Sequence, residues 1–512
     1  MYSRRVGENP TLQNLRYRVF YAFYSLTKKS VNKSLLTYDK GNFYKIPNRK
    51  LRLKFKQFII TLSKHHLYYN SFPQYITSTR LFTHAANNNN LGGIVNCVSN
   101  NNTDANLEKF YEWFVGFSDA ESNFIIVPQK IEGGDVKKFN FRFTIGLHVD
   151  DYHTLIKVQN KLNIGKVSVI KDECKFIVSK QVDIKKLITI FDKYPLFTSK
   201  ILDYLDFKKA FTLYYEREGL VTQDLKYIII ALKNGMNTLR TNFNMPSNHV
   251  IEINKYWLLG FIEGEGSFHL WRKDLTPVFA IQLIERQLSV LQKIKEYLIN
   301  SLGFDTYSLY KLQHSSSIAI NHQKARNNSK ASELLLIKNI HILHNYLIPF
   351  FNNLEFKTKK YKDFLDFKII CKAVYCGAHK KSQIKSLILR LSLTMNNNRL
   401  STNSKSVVEL SPSERDTLIS VLPSIEHLRD GRQRDIITKK IIHQHTSCVY
   451  EIIQPNGNEV IKLTLGDAAL MVNVDLRTLS KYLDVNEVND NNGRVKVKDC
   501  YVKRVAVFYN KK

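Results

Sequence analysis

Glu263 and Glu265 close an apolar run, Trp257 to Phe268 (WLLGFIEGEGSF), and stand between glycines. An earlier stretch, Trp113 to Phe124 (WFVGFSDAESNF), repeats the pattern without a gap: Gly116 aligns with Gly260, Asp119 with Glu263, Ala120 with Gly264 and Glu121 with Glu265. As helices of about three turns, each copy has an apolar side on which small residues recur four apart, Gly116 and Ala120 in one, Gly260 and Gly264 in the other. Small residues at that spacing let two helix backbones approach closely. The acids of both then arrive at one end, with Glu121 near Glu265. Two carboxylates held together there are what a site for a hard divalent cation needs. One copy alone reads as a buried helix with a capping acid; the duplication points to a shared site.

The elements that must position this pair also repeat. After the first motif, alternation predicts strands over Asn123 to Lys130 and Lys138 to His148, where Phe139, Phe141, Phe143, Ile145 and Leu147 share one face. Lys138, Asn140, Arg142 and Thr144 share the other, a set suited to phosphates and base edges, on a sheet able to lie in a major groove. A helix over Asp151 to Leu162, two short strands and two more helices complete an αββαββα order. The second half repeats it, with strands near Ser267 to Lys273, Pro277 to Ile284, Tyr307 to Leu312 and Glu333 to Ile337. Arg272, Lys273, Thr276 and Gln282 fall on its corresponding face. Late in each half Thr198-Ser199-Lys200 matches Thr358-Lys359-Lys360, and the wider spacing there predicts an insertion in the second half, at Asn321 to Ser332.

The motif pair resembles the signature of LAGLIDADG homing endonucleases in the form that carries two motifs on one chain. Glutamate stands where the family name spells aspartate, and Ser122 replaces the glycine matched by Gly266. The resemblance implies an α+β fold in which two pseudo-symmetric αββαββα halves form a DNA-binding saddle. It makes Glu121 and Glu265 metal-binding catalytic acids, with Mg²⁺ as the cofactor, and it puts Lys200 and Lys360 on a basic residue near the active sites. The implied function is a site-specific double-strand break that promotes homing of the chain's own group I intron, in a mitochondrial setting. The implied partner is a double-stranded DNA target, bound by a monomer because one chain supplies both halves. An RNA maturase that assists splicing of its own intron, with or without cleavage, is the alternative.

The totals agree with a nucleic-acid partner. The 512 residues carry a formal net charge of +31, more than solubility asks for and suited to a polyanion. No run approaches the roughly 18 apolar residues of a membrane span. Six scattered cysteines without a CxxC pair argue for reduced thiols. The length suits roughly three domains, and the expected division is 1–106, a basic leader and linker; 107–245 and 246–394, the two halves; 395–447, a linker with a helical and a basic segment; and 448–512, a separate module. From Met1 to Asn100 the leader is rich in Lys and Arg against Glu8 and Asp39, as in an organellar presequence or a translated flanking sequence. In the last module a hairpin around Pro455-Asn456-Gly457 precedes two short helices with helix-turn-helix spacing. Arg477, Thr478 and Lys481 lie on the outer face of the second helix, and Asp475 is placed to cap it. The unit resembles the small modular DNA-binding repeats appended to homing nucleases.

Overall fold

The computed structural model describes residues 100–132, 134–326, 329–403, 408–442, 448–485 and 493–509; residues 1–99, most of the expected basic leader and linker, lie outside them. The first motif ends the long helix α1 (Asn100–Glu121). It is followed by β1 (Ser122–Lys130), β2 (Val136–His148), α2 (Tyr152–Leu162), β3 (Lys166–Ile170), β4 (Glu173–Val178), α3 (Gln181–Lys193), α4 (Lys200–Tyr215) and α5 (Gln223–Asn234). The second half runs α6 (Lys255–Glu265), β5 (Gly266–Trp271), β6 (Thr276–Ile284), α7 (Leu288–Ser301), α8 (Thr306–Gln313), β7 (Ile318–Gln323) and β8 (Ser332–Ile337). After a helical run interrupted by a π-turn at Leu343–Leu347 come α9 (Lys360–Tyr375) and α10 (Ser382–Leu393). Three short strands follow, β9 (Ile425–His427), β10 (Gln433–Asp435) and β11 (Ile441–Ile442).

Both halves form a four-stranded antiparallel sheet of the same order, β1-β2-β4-β3 and β5-β6-β8-β7. Alternation decides which side packs. Phe139, Phe141, Phe143 and Ile145 are fully buried, and Phe124, Phe143 and Phe191 meet one another with ring centroids 5.2–5.6 Å apart.

The structure corrects the second half in two places. Tyr307 to Leu312, expected as a strand, belongs to helix α8, capped by the Asp305 carboxylate accepting from the Ser308 amide at 2.8 Å; the strand comes later, as β7. The insertion is therefore chiefly α8 together with a longer β7–β8 hairpin. Period-two reading failed here because Tyr307, Leu309 and Lys311 alternate with Tyr310 and Leu312 on a helix that is covered on more than one side, which blurs its 3.6-residue period.

Helix α8 is also a seat for the end of the chain. The Tyr307 hydroxyl donates to Glu451 at 2.7 Å, Tyr310 to the Ile461 carbonyl at 2.9 Å and Lys311 to the Leu463 carbonyl at 3.3 Å. The Phe508 amide donates to Ser308 at 2.8 Å while its ring, fully buried, packs 5.9 Å from that of Phe304. The unit seated there comprises β12 (Cys448–Ile453), β13 (Glu459–Lys462), α11 (Leu465–Met471), α12 (Leu476–Val485), β14 (Val495–Val497) and β15 (Cys500–Ala506), its sheet ordered β13-β12-β15-β14.

Met395 to Arg399, expected to open a linker, instead repeats a clamp of the first half. Arg240 pairs with Asp203 and Asp206, and Asn237 donates to the Phe124 carbonyl; Arg399 pairs with Asp363 and Asp366, and Asn396 donates to the Phe268 carbonyl. The basic stretch Arg429 to Lys440 supplies the middle strand of the small sheet β11-β10-β9, where Arg432 pairs with Asp430 and Asp484, and Arg434 with Glu426. Among the described residues no helix is long and apolar enough to cross a membrane.

Candidate active site

Glu121 is the last residue of α1 and Glu265 the last of α6. The two helices lie so close that backbone meets backbone. A Cβ added at Gly116 would stand 2.7 Å from the Trp257 carbonyl carbon, and one at Gly260 would stand 2.8 Å from the Phe117 nitrogen. Toward the acid end Gly264 faces Ala120, and a Cβ there would be 3.0 Å from Glu121 Oε1. The absent side chain leaves the space through which the Glu121 carboxylate lies beside the strand of chain that carries Glu265.

Burial pushes the Glu121 carboxyl above the ordinary glutamate range, with Lys200 and Lys360 pulling it back. Burial does the same to Glu265, and the neighbouring charge of Glu121 adds to it. Lys200 and Lys360 are themselves pushed down by burial. Each starts a helix, α4 or α9, and turns its ammonium onto the carbonyls that end a motif helix. Lys200 donates to Ser118 and Ala120 at 3.1 and 3.2 Å; Lys360 donates to Gly264 at 3.1 Å and to Gly266. Cations at helix C-termini are favoured there, and here they bring both amines to the carboxylate pair.

The other two motif acids do structural work that the sequence reading left unassigned. Asp119 accepts from the Phe197 and Thr198 amides at 2.7 and 3.1 Å and from the Thr198 hydroxyl at 2.7 Å. Glu263 accepts from the Lys357 and Thr358 amides at 2.6 and 2.7 Å and from the Thr358 hydroxyl at 3.1 Å. Each acid thus fixes the turn that presents its half's lysine. The indole of the opposite half completes each set: Trp113 donates to Glu263 at 2.5 Å, and Trp257 to Asp119 at 3.0 Å. Burial raises both carboxyls and these donors oppose it.

The halves also exchange polar groups farther out. Asp151 accepts from the Lys359 amide at 2.7 Å and pairs with its ammonium at 3.2 Å; Gln287 accepts from the Ser199 amide at 3.2 Å and donates to its hydroxyl at 2.6 Å. A cleft of about 700 Å³ opens at Glu121, lined also by Asp151, Lys359, Lys360 and Asn396.

Trp113→Phe keeps an aromatic side chain but removes part of the buried indole and, with it, the N–H donor to a buried carboxylate. It should lower unfolding stability by about 1.5–3 kcal/mol, measured by thermal denaturation; an unchanged melting temperature would rule out the cross-half tie.

The expected nucleic-acid residues divide. Lys138 and Arg142 are exposed and Asn140 and Thr144 half-buried, on the side of β2 opposite its phenylalanines. In the second half Lys273 is exposed in the β5–β6 turn, Thr276 is half-buried and Gln282, exposed, donates to Ser332 at 2.8 Å. Between those two, Val278 and Ala280 make the outer face apolar together with Leu336. Arg272 is turned away, its guanidinium donating to Ser392 Oγ at 3.1 Å on α10. On α12, Arg477 and Lys481 are exposed, whereas the Thr478 hydroxyl is taken by Asp475, which also caps the helix through the Arg477 and Thr478 amides.

The donor set at the helix ends, the half-buried Glu121 carboxylate beside the Gly264 gap and the more exposed Glu265 carboxylate that feels its charge, fits a hard divalent cation: oxygen donors of like charge are stabilised when such an ion lies between them. Glu121 and Glu265 are the residues that would hold it.

Comparison with known proteins gives a family-model match, described as LAGLIDADG endonuclease, over residues 114–211 and 258–371. The chain is 28% identical over 345 residues to the uncharacterized mitochondrial protein RF1 of Saccharomyces cerevisiae, covering 64% of this chain and 69% of that protein. It is 34% identical over 200 residues to the probable intron-encoded endonuclease Cox1-I1b of Schizosaccharomyces pombe, covering 38% of this chain and 50% of that protein. The chain spans about half the length of several such fungal relatives. Among solved structures, the LAGLIDADG homing endonuclease I-GzeII in complex with its DNA target is 24% identical, with a TM-score of 0.48, covering 56% of this chain and 99% of that one.

Proposed function

The chain belongs to the LAGLIDADG endonuclease family, and from that premise we propose that it is an intron-encoded, site-specific DNA endonuclease that hydrolyses both strands of a long target with Mg²⁺ and so promotes homing of its group I intron. The observation that carries this reading is the carboxylate pair Glu121 and Glu265 at one helix-pair end, flanked by Lys200 and Lys360. We further propose a mitochondrial setting, in line with the name of the Saccharomyces cerevisiae relative.

Each residue has a task in this reading. What a divalent ion supplies when held by Glu121 and Glu265 is Lewis-acid polarisation of a phosphate oxygen and a more acidic water. Lys200 and Lys360, fixed by carbonyls, offset the charge that builds on the phosphate. Asp119 and Glu263 keep those lysines in place. Lys138, Asn140, Arg142, Thr144, Lys273, Thr276 and Gln282 contact the duplex from the two sheets, and Arg477 and Lys481 from α12. The halves differ in chemistry, so a non-palindromic target suits a single chain.

The test is to incubate the purified full chain with plasmids bearing the joined sequences that flank its own gene, with Mg²⁺ or with EDTA. Linear plasmid that requires Mg²⁺ supports the reading. No linear product together with tight binding to the intron RNA selects the maturase alternative.

The pair also sets a pH dependence. Cation binding needs both carboxylates ionised, and burial raises both above the ordinary range in the metal-free chain. At low Mg²⁺ the acid limb of the cleavage rate should therefore lie above the pH at which an exposed glutamate titrates, and it should move down as Mg²⁺, which competes with protons for the carboxylates, is raised. For the metal-free fold the sign is opposite. Folded carboxyls with raised pKa values bind more protons than unfolded ones, so stability rises as pH falls through that window. A pH–rate profile and acid melting curves measure the two.

A further inference from the structure

The two sheets diverge at one corner. In the first half Leu147 of β2 faces Cys174 of β4, and Cys174 faces Val169 of β3; in the second half Leu283 of β6 faces Glu333 of β8, and Glu333 faces His322 of β7. The short 3₁₀ turn that follows begins with Val149 in the first half and with Glu285 in the second. Both turns are pinned alike, the Val149 amide donating to the Asp172 carbonyl at 2.8 Å and the Glu285 amide to the Ala331 carbonyl at 3.2 Å. One half therefore builds this corner from Val149, Val169 and Cys174, and the fold itself needs no charge there. The other half places Glu285, His322 and Glu333 at the same positions.

Their ligand atoms all lie within 4.8 Å of one another. Glu333 is 7% exposed, and among the described residues its hydrogen-bond partner is His322 Nδ1, at 2.8 Å, inside the cluster. A carboxylate buried that deeply is costly unless a cation or further donors compensate it. His322 and Glu333 sit on paired strands, so their spacing is set by the sheet, while Glu285 closes the group from the pinned turn. The group borders an open cleft lined also by Leu288, Gln292, Lys295, Glu296, Ile299 and Ile320; no ion pair joins the Lys295 ammonium to Glu333 among the described residues, and the cleft leaves room for water as a further ligand.

We propose that Glu285, His322 and Glu333 bind a divalent ion of the zinc class, independently of the nuclease reading. One imidazole nitrogen with two carboxylate oxygens suits Zn²⁺ or Co²⁺ better than Mg²⁺, which prefers an all-oxygen octahedron. The ion ties the β7–β8 hairpin to the turn Glu285–Gln287. Gln287 in that turn holds Ser199, so the staple lies one link from Lys200.

The test uses the full chain carrying Glu121→Gln and Glu265→Gln, so that the helix-end pair contributes no metal ligand. After dialysis against EDTA, the chain is titrated with Zn²⁺ by calorimetry and with Co²⁺ by visible absorbance. One saturable equivalent is expected, with cobalt bands of low coordination number and a raised melting temperature. His322→Val, the residue of the first half, and the exposed Glu285→Gln should each weaken binding by roughly tenfold or more. Absence of a saturable equivalent overturns the proposal, and so does affinity unchanged in both variants.

Discussion

Glu121→Gln and Glu265→Gln should each lower double-strand cleavage by at least about a thousandfold, with little change in fold. Glutamine has nearly the shape of glutamate, so the space beside Gly264 stays filled and the packing of α1 on α6 is kept. What changes is charge. Each variant removes one of two neighbouring carboxylates of like charge, so the metal-free protein should melt no lower than the parent, and DNA binding in EDTA should tighten because one anion fewer opposes the phosphates. Loss of cleavage with retained stability and binding separates a chemical role from a structural one. Residual nicking in one variant would assign the remaining carboxylate to one strand. A variant that linearises the plasmid at close to the parental rate would remove that carboxylate from the mechanism. The contrast is Asp119 and Glu263, whose many donors tie them to the fold: their amides should cost stability first, and cleavage only as a consequence.

The sequence carried the carboxylate pair because the motif is written twice, in register, with small residues on both sides of each acid, Ala120 and Ser122 in one copy and Gly264 and Gly266 in the other. Legible too were the strands whose phenylalanines alternate with polar residues, since β2 packs on one face and presents the other. The lysines followed from a second repeat, Thr198 to Lys200 against Thr358 to Lys360. Three things were hidden, each for a physical reason. The indole ties run between halves, from Trp113 to Glu263 and from Trp257 to Asp119, and a tryptophan in an apolar run reads as core until the partner helix is in place. The clamp of Arg240 has its repeat in Arg399, but Asn-rich composition around Met395 masks it as a linker. Helix α8 alternates as a strand would because the C-terminal unit covers a side that a surface helix would leave wet.

Gly116→Ala should destabilise the protein by about 3 kcal/mol or more, at the upper end of the usual overpacking cost. Helix propensity alone predicts the opposite, since alanine is favoured over glycine in a helix interior by about 1 kcal/mol, so the sign of the change isolates the contact. The added methyl of Gly116→Ala has no flexible neighbour to displace: it meets the Trp257 backbone, with the carbonyl carbon at 2.7 Å and the Cα at 2.9 Å. Relief requires the helices to separate, and separation pulls Trp113 and Trp257 from their acids. Gly264→Ala lies at the other end of the same interface, against Ala120 and 3.0 Å from Glu121 Oε1. There the displacement falls on the carboxylate pair, and a shift on the order of 1 Å in a reacting group can cost about a hundredfold in rate. Melting curves and plasmid cleavage on both variants should thus split, Gly116→Ala losing stability most and Gly264→Ala losing cleavage out of proportion to its melting temperature. If Gly116→Ala melts at or above the parent, the close approach of α1 and α6 is wrong, and with it the geometry that brings Glu121 to Glu265.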